Sequence, residues 1–356
     1  MEDSAQVVIG VDAHKRAHTL VAADELGREL AAKTLAATAE GHLAALAWAS
    51  RWPSRRWALE DCRHLTRTLE ANLVRAGERV VRVPTQMMAG VRRSARQPGK
   101  SDAIDALAVA RAAWREPDLP AARLDGPSRQ VRLLVDHRDD LVGERTRIQS
   151  RIRWHLHEIA PDLEIPARGL KLQHVIDCVA DRLASIDGLI AAITRELLDR
   201  LRELNRRINE LEREIKPLIG ALAPTLLTIP GCGALTAAKL VGETAGVNRF
   251  RSKSAYARWN GTAPQPASSG NTTRFRLNRG GNRQVNAALH RIALTQARTC
   301  QQGRDYIARR IRHGNTKTEA LRLLRRRLSD VVYRTLLIDD HAAHPSVVIN
   351  LKNDLT

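Results

Sequence analysis

Aromatic side chains are scarce: Phe, Trp and Tyr together make up 3% of the 356 residues. Platforms that hold single-stranded bases by stacking are built from such rings, so stacking is excluded as the main mode of binding any nucleic acid. Cysteine is scarce too. Cys62, Cys178, Cys232 and Cys300 stand far apart with no CxxC spacing. That disfavours a zinc site or a disulfide framework and fits a reducing cytoplasm. No apolar run is long enough to span a bilayer, so no membrane is expected as a partner. The opening MEDSAQ is acidic and polar where a secretory leader is basic, which predicts a cytoplasmic protein.

Acid is the minority charge. There are 39 Asp and Glu against 58 Lys and Arg, a formal net charge of +19. Such an excess points to a polyanion, because Lys and Arg neutralise phosphates and release their counterions. An acidic membrane surface is the other partner of that chemistry.

The length predicts two or three domains. Residues 1–115 alternate strand and helix patterns. QVVIGVDAH, HTLVAAD, ELAAKTLAA, RRWALED and ERVVRVP read as strands. GHLAALAWAS, HLTRTLEANLVRAG and SDAIDALAVARAAW read as helices, the last with Ser101 as its N-cap. The alternation implies a sheet covered by helices. Residues 116–129 are rich in Pro, Arg and Asp and read as a linker.

Residues 130–220 turn helical. Ile190, Ile193, Leu197, Leu201, Leu204, Ile208, Leu211, Ile215 and Leu218 recur at spacings of three and four, a heptad seam flanked by Arg and Glu. Leu134, Leu141 and Ile148 form a shorter row upstream. The seam serves either an intramolecular helical hairpin or a dimerising coiled coil; its length and charged flanks favour self-association. Residues 221–340 form a mostly helical third module, followed by a tail at 341–356. Its last helix, TKTEALRLLRRRLSDVVYRTLL, has a dense Arg face. That face is either simply solvated or phosphate-contacting.

Four acids stand out: Asp12 ends the first strand, Glu60 ends RRWALE, and Asp102 and Asp105 share one helix face three residues apart. Singly, each has an ordinary explanation as a strand end, a first-turn acid favoured by the helix dipole or a solvated residue. Together, in the order strand, strand, helix pair, they make the better case for a metal site. Like charges on one face repel unless a divalent cation joins them. Mg²⁺ (or Mn²⁺) is bound through carboxylates and substrate phosphate oxygens, and ions so held drive phosphoryl transfer. Strand C-terminal ends are also where open α/β sheets place ligands.

VVIGVDAHK, WALEDCRHL and GKSDAIDALAVA resemble the Asp-Glu-Asp-Asp motif of the RuvC-like, RNase H-fold domain in bacterial IS110-type insertion-sequence transposases. The resemblance extends over nearly the whole chain. It implies a RuvC-like N-terminal domain, a helical coiled-coil middle and a mostly α transposase domain. It also implies that Asp12, Glu60, Asp102 and Asp105 hold the metal. One departure stands out: many relatives follow the glutamate with a glycine-containing turn, where this chain has Asp61-Cys62-Arg63-His64.

TIPGCGALTAAKLVGE, with Gly231 and Gly233, looks like a helix-hairpin-helix turn whose amides meet a phosphate backbone; the alternative is a tight turn between packed helices. Downstream, ASSGN lies ahead of Arg274, Arg276, Arg279 and Arg283. By itself SSGN is an ordinary turn, and a serine hydroxyl is a weak nucleophile unless activated. The same family has a PGxG turn, a W/F-x-G-hydrophobic-x-P segment, a Ser-Gly, a basic stretch and a Gly-Asn-Arg or Gly-His-type turn in this order. The resemblance therefore implies that Ser269, directly before Gly270, attacks DNA to form a phosphoserine link, with Ser268 as the neighbouring alternative. The arginines would neutralise the charge that develops on the phosphate. It further implies a homodimer or homotetramer, donor and target DNA, a guiding bridge RNA and a nucleoid-associated location. Two other classes stay open. One is a RuvC-like hydrolytic endonuclease for branched DNA, which needs the acids but not Ser269. The other is a catalytically inactive nucleic-acid-binding descendant. His14, His64 and His155 show no metal-ligand spacing and are expected to be structural or surface residues.

Overall fold

The computed structural model describes residues 6–84, 87, 101–116, 119, 121, 122, 124, 126–267, 275–278 and 280–343. Five strands form one sheet in the order β3-β2-β1-β4-β5. They are β1 (Val7–Ala13), β2 (Ala17–Ala23), β3 (Glu29–Ala36), β4 (Arg55–Glu60) and β5 (Val80–Val83). The first three run antiparallel as a meander, and β4 and β5 run parallel to β1. Each parallel step contains a helix, α1 (Ala39–Ala49) before β4 and α2 (Arg63–Arg75) before β5, as parallel pairing requires. A further helix, α3 (Asp102–Arg115), follows β5.

The two faces of the sheet bury different residues. Val7, Ile9, Val11, Trp57 and Leu59 pack with Trp48, Leu69 and Leu73 of α1 and α2. Val8, Ala58, Val81 and Val83 pack with Ala106, Val109, Ala110 and Ala113 of α3. Because side chains alternate along a strand, Asp12 and Glu60 fall on the α3 side with Val8 and Ala58. The helix seats closely there. A Cβ at Gly10 would stand 2.1 Å from the Ala106 carbonyl oxygen and 2.6 Å from the Ala110 nitrogen, so only glycine admits the backbone of α3.

The chain divides into two compact units. The first comprises residues 1–126, 246–286 and 325–337. Besides the sheet it holds α8 (Lys253–Trp259) and the two-stranded ribbon β6 (Gln265–Pro266) with β7 (Phe275–Arg276). Phe250, Tyr256, Trp259 and Tyr333 form one aromatic cluster, with the Tyr333 hydroxyl donating to the Phe250 carbonyl at 3.1 Å. Four of the few aromatic residues are thus spent on this cluster, while Trp154 and Phe275 are exposed.

The second unit comprises residues 127–245, 287–324 and 338–356. Its long helices are α4 (Pro127–Ile159) and α6 (Leu189–Leu222), joined through α5 (Gln173–Ala184). With them are α7 (Ala234–Thr244), most of α9 (Arg283–Thr299), α10 (Gln301–Arg312) and the two ends of α11 (Lys317–Ala343). The seam on α6 packs along α4 within the chain. Leu201, Leu204, Ile208, Leu211 and Ile215 are buried as the heptad reading expects. At the ends the buried row shifts by one residue: Ala191, Thr194, Leu198 and Ile219 are inside, while Ile193 is 38% exposed. Polar residues that hydropathy passes over join the buried row, Thr194 at its N-terminal end and Asn205 in its middle. The Thr194 hydroxyl bonds His155 Nδ1 at 2.9 Å, and Arg145 Nη1 donates to Asn205 Oδ1 at 3.2 Å, both across α4 and α6. Among the described residues no helix is long and apolar enough to cross a membrane.

Candidate metal centre at the sheet edge

Asp12 is the penultimate residue of β1 and His14 the first residue past the strand, and their side chains meet. His14 Nε2 lies 3.0 Å from Asp12 Oδ2. Asp102 opens α3, where the Ser101 hydroxyl accepts from the Ile104 amide at 3.3 Å and caps the helix. The Asp102 carboxylate reaches the same imidazole: His14 Nε2 to Asp102 Oδ1 is 3.3 Å. The donor atoms of Asp12, His14 and Asp102 all lie within 4.8 Å of one another. Asp105, one turn along α3, is buried.

The electrostatics bind these groups into one site. The Asp12 carboxyl is pushed above the usual carboxylate range, first by burial, against the pull of His14, and then by the charges of Asp105 and Asp102. Glu60 is next door: β1 and β4 pair Val11 with Leu59, so one residue further along each strand stand Asp12 and Glu60. Cys62 reports the same proximity, because its thiol is raised to about 11 by burial and then by Glu60, with Asp12 and Asp61 adding to it. Asp61-Cys62, the departure in sequence, forms the tight step into α2: the Asp61 amide donates to Val83 and the Cys62 amide to Glu60. A packed, partly desolvated group of carboxylates carries excess negative charge, and a hard dication relieves it through those same oxygens.

Ser268, Ser269, Arg274 and Arg279 lie outside the described residues. The flanking strands β6 and β7 belong to the same unit as the acids. Gln265 of β6 lines a cleft of about 630 Å³ together with Asp61, Glu116, Arg251, Arg258 and Asn282. Arg276 is exposed on β7 and Arg283 is exposed at the first position of α9. Gly231 and Gly233 belong to the second unit. Gly231 has φ 85°, and a Cβ there would stand 2.9 Å from Thr295, so packing alone demands glycine. Gly233 caps α7 with open space around it, in a cleft shared with Arg213 and Lys216. The residue the motif reading missed is His14. No spacing along the chain signals it, because His14 lies just past β1 and meets Asp102 only through the approach of α3.

Carboxylates gathered at the C-terminal edge of a helix-covered sheet, in a strongly basic chain, have the chemistry of a metal-dependent enzyme acting on phosphate esters. Comparison with known proteins is more specific. Residues 9–161 match a family described as transposase, and residues 223–308 match one described as transposase IS116/IS110/IS902 family. The chain belongs to the IS110 family of transposases. It is 33% identical over 162 residues to the uncharacterized 44.8 kDa protein of insertion element IS116 from Streptomyces clavuligerus, covering 45% of this chain and 40% of that protein. It is 25% identical to the 42 kDa protein of insertion element IS900 from Mycobacterium paratuberculosis, covering 95% and 97% of the two chains. Among solved structures, T. thermophilus RuvC in complex with a Holliday junction substrate matches at 17% identity, over 32% of this chain and 95% of that one, with a TM-score of 0.25.

Proposed function

We propose that the protein is the DNA recombinase of a bacterial insertion sequence. It cuts and rejoins DNA through a serine nucleophile, and the four acids of a RuvC-like, RNase H-like domain hold the divalent cation. The observation that carries this reading is the gathering of Asp12, Asp102 and Asp105, with Glu60 on the adjacent strand, at one sheet edge of a chain from a transposase family. The strand order β3-β2-β1-β4-β5, with a meander followed by two parallel steps, supports the RNase H-like assignment.

In this reading the residues have distinct tasks. Asp12, Glu60, Asp102 and Asp105 hold the cation, which when bound polarises the scissile phosphate and stabilises the leaving oxygen. Ser269 supplies the hydroxyl that displaces a deoxyribose oxygen from phosphorus. The phosphodiester is exchanged for a phosphoserine ester, so a strand hydroxyl can reverse the step and reseal the DNA without an external energy source. Arg274, Arg276, Arg279 and Arg283 offset the developing charge. The turn at Gly231 and Gly233 grips the phosphate backbone without reading bases. Sequence choice is delegated to a bridge RNA whose loops pair with donor and target DNA, which suits a net charge of +19 with 3% aromatics. Homodimers or homotetramers bring the acids of one subunit to the serine of another.

The test is a covalent adduct. Protein, Mg²⁺, RNA from the element's non-coding flank and labelled junction and target DNA are incubated and resolved on denaturing gels. The expected result is an adduct that survives Ser268→Ala and is lost in Ser269→Ala and Asp102→Asn. Metal-dependent nicking with no adduct, unchanged in Ser269→Ala, would overturn the serine mechanism in favour of a hydrolytic nuclease.

A further inference from the structure

The Asp-Glu-Asp-Asp reading leaves His14 without a task, yet its ring sits inside the acid group. Its Nε2 is 3.0 Å from Asp12 and 3.3 Å from Asp102, while 53% of its side chain remains open to solvent. Two donors held by one small dication through bonds of about 2.0–2.2 Å stand about 3.0–3.5 Å apart, depending on geometry. The imidazole already stands at that spacing from each carboxylate, and all three donor atoms lie within 4.8 Å of one another. The placement is built by the fold: Asp12 is near the end of β1, His14 follows directly after the strand with its ring on Asp12, and Gly10 lets α3 close against β1 so that Asp102 arrives beside them.

We propose that His14 is a metal ligand of this chain, and that its nitrogen tunes the centre toward first-row transition dications such as Mn²⁺ over Mg²⁺. The inference rests on the acids being a metal centre. Magnesium takes oxygen ligands almost exclusively and holds its water tightly, so an imidazole adds little to its binding. First-row transition dications accept imidazole nitrogen alongside carboxylate, and their affinity rises when it is offered. A set of two carboxylates and one imidazole therefore discriminates by ligand type, where four carboxylates do not. The competing role for His14 is a structural one, a ring that holds Asp12 and Asp102 at 3.0 and 3.3 Å without binding metal.

The experiment uses the full-length protein and Mn²⁺ alone, with no nucleic acid. Bound Mn²⁺ is titrated by electron paramagnetic resonance, and electron spin-echo modulation reads whether a nitrogen couples to it. In wild type an imidazole ¹⁴N coupling is expected, changing to the ¹⁵N pattern when histidine is labelled. In His14→Ala the coupling disappears and Mn²⁺ affinity falls at least about tenfold, since losing even an outer partner of a metal site costs about 10–100-fold. Mg²⁺ affinity, read by competition, changes little. Mn²⁺ bound in wild type without nitrogen coupling overturns the inference while leaving the acid centre intact, provided Asp12→Asn abolishes binding. Mn²⁺ binding that is indifferent to Asp12→Asn and Asp102→Asn overturns the centre itself. The labelled wild-type measurement stands even if His14→Ala does not fold.

Discussion

At the scale of single residues, Gly10 has the largest structural consequence for its size. Its absent Cβ lets the backbone of α3 touch β1, and the carbonyl of Ala106 occupies the space an alanine would need. Gly10→Ala is expected to destabilise the protein by about 1–3 kcal/mol, as overpacking of a tight core does. It should also lower metal affinity, because α3 carries Asp102 and Asp105. Urea unfolding and a Mn²⁺ titration check the two effects together; unchanged stability would show that α3 tolerates displacement. Asp12→Asn removes charge from a carboxylate whose burial, with Asp105 and Asp102 adding to it against His14, already raises its proton affinity. Strand cleavage should be lost while DNA binding, measured by gel shift, stays near wild type.

Elements position these residues by simple rules. The Ser101 hydroxyl caps α3 and starts the helix at Asp102, so the two acids occupy its first turn, where the helix dipole favours negative charge. Ser101→Ala should cost about 1 kcal/mol, visible as a lowered thermal midpoint. On the α4–α6 pair, Asn205 is the partner of buried Arg145, whose Nε has no acceptor among the described residues. Asn205→Leu should cost about 2–3 kcal/mol, because it strands a buried cation. Adding Arg145→Leu should recover most of that loss, and failure to recover it in a double-mutant cycle would show that the pair is not the source.

Most of the strands and helices of residues 1–115 were legible, because period-two and period-3.6 hydropathy marks them directly. The acid motif was legible for the same reason: each acid ends a strand or begins a helix. The seam on α6 was read correctly in its middle and one residue out at its ends. Thr194 near one end, and Asn205 beside the seam in its middle, face inward where His155 and Arg145 meet them on another helix, and periodicity cannot see a partner.

For the whole molecule, pH acts through a pair of buried imidazoles. His18 and His42 stack 5.4 Å apart inside the first unit. Burial, with His42 and His14 adding to it, depresses His18 from 6.5 to about 4. The unfolded chain takes up the proton below pH 6.5, whereas the folded chain resists it until near pH 4. Stability is therefore full above about 6.5 and declines toward 4, by up to about 3 kcal/mol from this group. Urea midpoints at pH 7 and pH 5 should differ, and His18→Gln should flatten the difference. The charge of +19 makes a separate prediction: nucleic-acid affinity should fall steeply with salt, by about 0.9 in log affinity per log unit of salt for each phosphate neutralised. A flat salt profile would remove the electrostatic argument for a polyanionic partner.

By itself the sequence determined the element pattern, the basic charge and the four-acid motif with its family, since these depend on local spacing and composition. Tertiary structure alone decided that the acids meet, that His14 joins them, and that the α6 seam is closed by the chain's own α4. Those outcomes depend on strand register, on the approach that Gly10 allows and on polar partners far away in sequence. Such contacts are set by packing between elements, which no spacing along the chain encodes.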